Sequence, residues 1–426
     1  MRGTTVRRLL ILPACIAVFV CSGLLVWGIM TYGTNLIRAR GVSEGNPALA
    51  YAVGSDPDVL SARSKNAKHP LLAPQLVSPK RASADGPRLV VAADKLYLFW
   101  REMKDITREL PGEGNKKERR LINTVGLSIA GIDKETKRLE SARSALISDH
   151  YGPDPDVQDY AAVAANSTPP RDRDAPAFVV AYAGWTLFTG CGCDHLVVRL
   201  SPDQKMAYRR DQVGIFLSHD YDWPSEITCL LRRAVKKSQL FLVLSDGFIT
   251  SKDDGKTWST PHIIPEHEDH AQMVETDSGE LLLFSSASTP ASEGRRSEIH
   301  LRRRKDGKEW SDAKWIVETY NSRKICAFVD RKLIWLAYAD KNAKRDGSTI
   351  FLTRSSDDGK TWETALPLTD GIHDDSEPAL AVQGDTLFLA FARPIPRDPG
   401  AREADFKRQI WYGYKAIKEI EFPRAK

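Results

Sequence analysis

Several short stretches of this 426-residue chain gather side chains that could do chemistry. His219-Asp220-Tyr221-Asp222-Trp223 sets two rings beside two carboxylates, a combination suited to stacking a sugar ring and bonding its hydroxyls. Glu266-His267-Glu268-Asp269-His270 and His373-Asp374-Asp375 hold imidazole and carboxylate groups enough for a divalent ion if the two loops converge, with His267, His270 and His373 as the candidate ligands. Tyr320, Arg323 and Glu377 add a phenol, a guanidinium and a further carboxylate. Paired carboxylates and a Tyr flanking a sugar suit glycoside hydrolysis, which needs an acid and a nucleophile or base at defined separation. The candidate catalytic residues are therefore Tyr320, Arg323, Glu377, Asp220 and Arg88, and the candidate substrate-binding residues Tyr221, Trp223 and Arg393. No resident cofactor is expected, the divalent ion being the alternative.

The element that must position these groups announces itself by repetition. Ser251-Lys-Asp253-Asp-Gly255-Lys-Thr257-Trp258 returns as Ser355-Ser-Asp357-Asp-Gly359-Lys-Thr361-Trp362, and a degraded copy, Arg303-Arg-Lys-Asp306-Gly307-Lys-Glu-Trp310, lies between them. The glycines at 255, 307 and 359 are 52 residues apart each time, a period characteristic of repeat architectures. In each octet the Ser and Asp side chains are placed to bond the backbone of a tight turn. The Gly supplies a positive φ at low steric cost. The Trp opens the next strand and offers a large ring to a neighbouring unit.

This pattern, S-x-D-x-G-x-T-W, resembles the Asp box of the sialidase superfamily. The resemblance implies a β-propeller of four-stranded blades, with the box joining third and fourth strands on the face away from the ligand. It implies a site built from loops entering each first strand and loops joining second to third strands. It also implies a Tyr nucleophile paired with a Glu, an Asp acid/base, and three arginines clamping a substrate carboxylate, for which Tyr320 or Tyr221 and Arg323 and Arg393 are the candidates. The family's first clamp arginine stands in an Arg-Ile-Pro motif entering the first blade. Here that place reads Asp85-Gly86-Pro87, so standard sialidase turnover is not expected.

Six pairs of short apolar runs bounded by Gly, Asp and Lys turns accompany the octets. They begin with Leu89–Ala92 and Leu96–Trp100, continue with Phe178–Tyr182 and Trp185–Thr189, and end with Ala379–Val382 and Leu387–Phe391. The fold class expected is an all-β, six-bladed propeller over residues 83–423. Polar stretches in the first unit, Glu109 to Lys117 and Asp149 to Arg173, read as surface excursions, and Leu71 to Val77 as a further strand of the globular part. The preceding chain reads as a short cytoplasmic tail (1–8), a transmembrane signal-anchor (9–30) and a proline-dotted stalk (31–82). The run Leu9 to Met30 carries no charge, and its length suffices to cross a hydrocarbon core of about 30 Å. That places the propeller on the extracytoplasmic side, with the membrane as one partner and a glycan as the other.

The formal net charge is +5, and Arg2, Arg7 and Arg8 supply three of those charges, so the rest of the chain is too near neutral for nucleic acid to be a partner. The basic run Arg302-Arg303-Arg304-Lys305 reads as a solvated outer face. Cys191 or Cys193 could pair with Cys229, leaving Cys326. Two other functions share the same repeat pattern as alternatives: a noncatalytic protein-binding propeller and a metal-dependent hydrolase.

Overall fold

The computed structural model describes residues 49–51, 72–78, 83–92, 95–111, 117–140, 142–149, 161–165, 178–185, 193–200, 209–213, 227–233, 239–244, 247–253, 257–260, 262–263, 269–288, 297–319, 324–340, 348–369, 373–395 and 408–422. Residues 9–30 lie outside these, and among the described residues no helix is long and apolar enough to cross a membrane.

The chain forms antiparallel sheets in succession. The first comprises Ser83–Ala92, Lys95–Pro111, Lys117–Ile132 and Ala142–Asp149, with Leu49–Tyr51 added at its outer edge. The second runs Ala161–Ala165, Phe178–Trp185, Cys193–Leu200 and Arg209–Val213. The third runs Ile227–Arg232, Leu240–Leu244, Gly247–Ser251 and His262–Ile263. The fourth is Asp269–Glu275, Leu281–Ser288, Ser297–Arg304 and Lys314–Thr319. The fifth is Ile325–Asp330, Leu333–Asp340, Thr349–Ser355 and Leu366–Pro367. The last is Ser376–Gln383, Thr386–Pro394 and Arg408–Ala416, completed on its outer edge by Leu72–Leu76.

Each sheet's first strand lies against the first strand of the next, and Ser83–Ala92 meets both Ala161–Ala165 and Ser376–Gln383, so the ring closes. This is an all-β propeller. The expectation of six four-stranded blades is corrected: five sheets are four-stranded and the first carries five strands. The last sheet takes its outer strand from before the first, so the two ends of the repeat region are hydrogen-bonded into one sheet, Leu72 opposite Tyr414 and Leu76 opposite Trp411.

Two sequence assignments move. The first strand of the second sheet is the Ala-rich Ala161–Ala165, which falls inside a stretch read as surface, and Phe178–Trp185 is the second strand. With Val163 as its one β-branched residue, Ala161–Ala165 gives little strand signal. The stretch Glu109 to Lys117 is the tip of a hairpin whose strands are 17 and 16 residues long, paired to Pro111 opposite Lys117. Its polar residues (Arg101, Glu102, Lys104, Asp105) hide it from a search for apolar runs. The pairing of Ser83 with Met103 marks the end of the neighbouring first strand. The hairpin continues about 26 Å farther at the usual rise per residue.

The core lies between sheets, and strand alternation builds it. Along Leu333–Asp340, Ile334, Leu336 and Tyr338 pack toward Phe284 and Leu301 of the fourth sheet, while Trp335 and Ala337 pack toward Leu389 and Phe391 of the last. Each large ring or leucine so buried contributes about 1.5–3 kcal/mol. The octet tryptophans reach the preceding sheet as their chemistry implies. Trp362 meets Phe284 edge-on at 5.9 Å and Trp310 meets Phe248 at 6.2 Å.

The octets themselves are tight corners between third and fourth strands. Asp357 accepts the Thr361 N–H at 2.9 Å, the Lys360 N–H at 3.0 Å and the Ser355 hydroxyl at 2.7 Å, and its other oxygen takes the Thr361 hydroxyl at 2.6 Å. The bonds from Thr361 and Ser355 hold the Asp357 carboxyl well below the usual carboxylate range. Asp253 repeats the arrangement with Thr257 and Ser251. Gly359 stands at φ +76° and Gly307 at +72°, whereas Gly255 lies outside the described residues.

The degraded octet follows a different chemistry, and here the sequence reading of the basic run is corrected. Arg302 is buried. Arg303, standing where the intact octets have Ser, reaches Glu280 and the Asp358 carbonyl of the next octet. Arg304 lies over the Phe248 and Trp310 rings. Arg302, Arg303 and Arg304 are thus tied into the packing between sheets, and Lys305 alone of the run is exposed. Beside it, the buried Arg233 binds Glu275 at 2.6 Å, Asp306 at 2.5 Å and the Gly279 carbonyl at 2.8 Å.

Candidate functional site

Antiparallel pairing fixes which loops share a face. First strands begin, and second strands end, on the side opposite the octets. On that entry face, four of the first strands open with a shift in register: between Asp85 and Arg88, between Ile227 and Cys229, between Asp269 and Gln272, and between Ser376 and Ala379. In the three shifts that span two residues, the first of the two has a left-handed backbone: Gly86 at φ +58°, His270 at +55° and Glu377 at +54°. Glycine adopts this conformation freely, but His and Glu hold it at a cost of about 1–3 kcal/mol, which is characteristic of functional positions.

Around Glu377 the entry ends of the first and last sheets meet in a set of ion pairs. Asp85 binds Arg101 at two points, 2.6 and 2.5 Å. Asp375, wholly buried, binds Arg393 at two points, 2.7 and 2.8 Å. Glu377 accepts the Gly86 N–H at 2.7 Å and Arg408 at 3.0 Å. Burial pushes the Glu377 carboxyl upward, but Lys324, Arg408, the Gly86 N–H and Arg101 outweigh it and hold the group below its ordinary range. Glu377 is therefore ionised near neutrality and suits a base or charge stabiliser rather than a proton donor. Arg393 also lies over the Trp411 ring at 4.9 Å and the Phe391 ring at 5.3 Å, which fix its plane. Deeper, Glu102 accepts the Trp100 indole N–H at 2.9 Å.

Of the sequence candidates, the structure thus brings Glu377 and Arg393 to one face, with Arg88 close by on the innermost strand, where its guanidinium bonds the Pro87 carbonyl at 2.8 Å. Tyr320, Arg323, Asp220, Tyr221, Trp223 and His267 lie outside the described residues. His270 occupies its bulge and His373 is half-buried ahead of Asp374, which accepts the Ser348 N–H at 3.1 Å. Among the described residues no group of three His, Cys, Asp or Glu side chains is placed to hold a metal ion. Sequence reasoning missed Arg101, Lys324 and Arg408. Arg101 could have been found, since it directly follows the strand Leu96–Trp100 and so falls on the entry face.

One reading is overturned here. Cys229 is a free thiol, as is Cys326, so no disulfide joins Cys229 to Cys191 or Cys193. Cys229 donates to the Met273 carbonyl at 3.6 Å and Cys326 accepts the Leu380 N–H at 3.3 Å, so each thiol ties one first strand to the next. Burial pushes Cys229 up to about 11, which makes it unreactive at neutral pH.

No protein-family model and no curated protein matches the chain. Solved structures do. A protein of unknown function from Dyadobacter fermentans superposes with a TM-score of 0.52 at 14% identity, over 80% of this chain and 96% of that one. The alpha-L-arabinanase of Penicillium chrysogenum, complexed with arabinobiose, gives 0.48 at 12% identity, over 88% and 99%. A Trypanosoma rangeli sialidase gives 0.47 at 10% identity, over 81% of this chain and 56% of that one. The likeness is one of fold. It assigns no activity.

Proposed function

We propose that this chain is a membrane-anchored, extracytoplasmic propeller that binds or acts on glycans at its entry face and lacks standard sialidase turnover. Three kinds of observation support the reading: the paired octets and their resemblance, the propeller fold, and the charge pairing at the entry face. The last carries it. Arg101, Arg393 and Arg408 each already hold a carboxylate, namely Asp85, Asp375 and Glu377. Clamping a substrate carboxylate needs guanidinium forks open for bidentate bonding. Breaking the buried Arg393–Asp375 pair would cost about 3–5 kcal/mol, or roughly two to four orders of magnitude in rate. Neutral sugar hydroxyls make a better match, since they donate to the carboxylates and accept from the guanidinium groups at once.

The anchor rests on the uncharged run Leu9 to Met30 with Arg2, Arg7 and Arg8 before it. The test is a glycan array of neutral and sialylated structures read alongside hydrolysis of an aryl sialoside. Retention of neutral glycans without sialoside turnover is the expected result. Retention of sialylated glycans alone, or sialoside turnover, would overturn it.

A further inference from the structure

The structure points to a second carbohydrate contact, far from the entry face and independent of the reading given to it. Among the described residues Trp315 is the single large apolar side chain that stands exposed, at 56% of its surface. It sits on Lys314–Thr319, the outermost strand of the fourth sheet. The described tryptophans at 100, 258, 310, 335, 362 and 411 are buried or half-buried instead. Packing therefore does not explain an indole at position 315.

Its surroundings are polar in a particular way. The register sets Trp315 opposite His300 and Glu318 opposite Glu298, with a bulge at Ile299/His300. Ser297, Ile299 and Leu301 are buried, with Ile299 and Leu301 in the core shared with the fifth sheet, so Glu298 and His300 belong to the other face of the strand. His300 Nε2 and Glu298 Oε2 lie 3.1 Å apart, which fixes both rotamers. A ring held on a paired strand, with an imidazole and two carboxylates at the neighbouring cross-strand positions, is what a pyranose requires. The ring stacks under the sugar's C–H face and the polar groups bond its equatorial hydroxyls.

We infer that Trp315, with Glu298, His300 and Glu318, forms a peripheral subsite for one residue of a neutral glycan. The carboxylates exclude sialylated or sulfated residues by repulsion. Such a subsite adds avidity to a polymer whose chain also engages another part of the protein or a second molecule on the same surface.

The experiment is depletion of the detergent-solubilised full chain onto beads carrying xylan, galactan, β-glucan or dextran, with Trp315→Ala and Trp315→Phe beside the wild type. Because the side chain is exposed, both variants should melt with the wild type. Wild-type protein should be retained by at least one polymer, with about tenfold or greater loss of affinity in Trp315→Ala and a smaller loss in Trp315→Phe. Failure of the wild type to bind any of the four polymers would overturn the proposal, as would binding that Trp315→Ala leaves unchanged. Entry-face activity on a short oligosaccharide should be the same in all three proteins, so the two sites fail separately.

Discussion

Glu377 and Gly86 stand 291 residues apart, yet the Glu377 carboxylate accepts the Gly86 backbone N–H at 2.7 Å. The bond joins the first strand of the first sheet to the first strand of the last, at equivalent bulges that share a left-handed backbone. One carboxylate thus closes the ring at its mouth and orders the charged groups of the entry face.

Removing that carboxylate should loosen the closure. Glu377→Ala leaves the Gly86 N–H and Arg408 without their acceptor, and stability should fall by about 1–3 kcal/mol. The pH dependence has a definite sign. The folded-state pKa is depressed, so the stabilisation is fully present above the ordinary glutamate range and is lost as pH falls through the lower folded value. Chemical denaturation of wild type and Glu377→Ala between pH 3 and 7 should show the gap shrinking toward acid. A gap independent of pH would mean the carboxylate's charge is not what matters.

Gly359→Val should cost about 2–4 kcal/mol. A β-branched residue at φ +76° is strained, and its Cβ would come within 3.1 Å of Arg303 and 3.2 Å of Leu301. Gly307→Ala, at a similar φ with open space around it, should cost less. Thermal melts of the two variants check the order. Equal losses would show that conformational strain alone, and not the approach of Arg303, limits the octet.

The position of Leu72–Leu76 predicts where truncation becomes harmful. Deleting residues 1–47 should leave the propeller folded. Deleting 1–78 removes the outer strand of the last sheet and exposes Trp411 and Tyr414 along an open edge. Size-exclusion chromatography should show a monodisperse species for the first and aggregate for the second. Two equally well-behaved proteins would mean that the closing strand is dispensable.

How much of this was legible beforehand follows from what kind of signal each part leaves. The octets are local chemistry, a Ser, an Asp, a Gly and a Trp acting within eight residues, so Asp357 and Trp362 behave as their spacing implies. Apolar strand pairs such as Ile325–Asp330 with Leu333–Asp340 are equally plain. The Ala161–Ala165 strand and the polar hairpin after Trp100 owe their pairing to neighbours rather than to composition. The entry-face pairs are the least legible. Asp375 and Arg393 are 18 residues apart and Glu377 and Arg408 are 31 apart, and nothing local to either partner marks it.

The most direct measurement is hydrolysis of an aryl sialoside by the purified chain, run beside binding to neutral oligosaccharides. With Arg101, Arg393 and Arg408 held by their own carboxylates, sialoside turnover should stay at background while at least one neutral glycan binds, and Arg393→Ala should weaken that binding about tenfold or more. Sialoside turnover that disappears in Arg101→Ala or Arg408→Ala would contradict this, because it would show the same guanidinium groups engaging a substrate carboxylate.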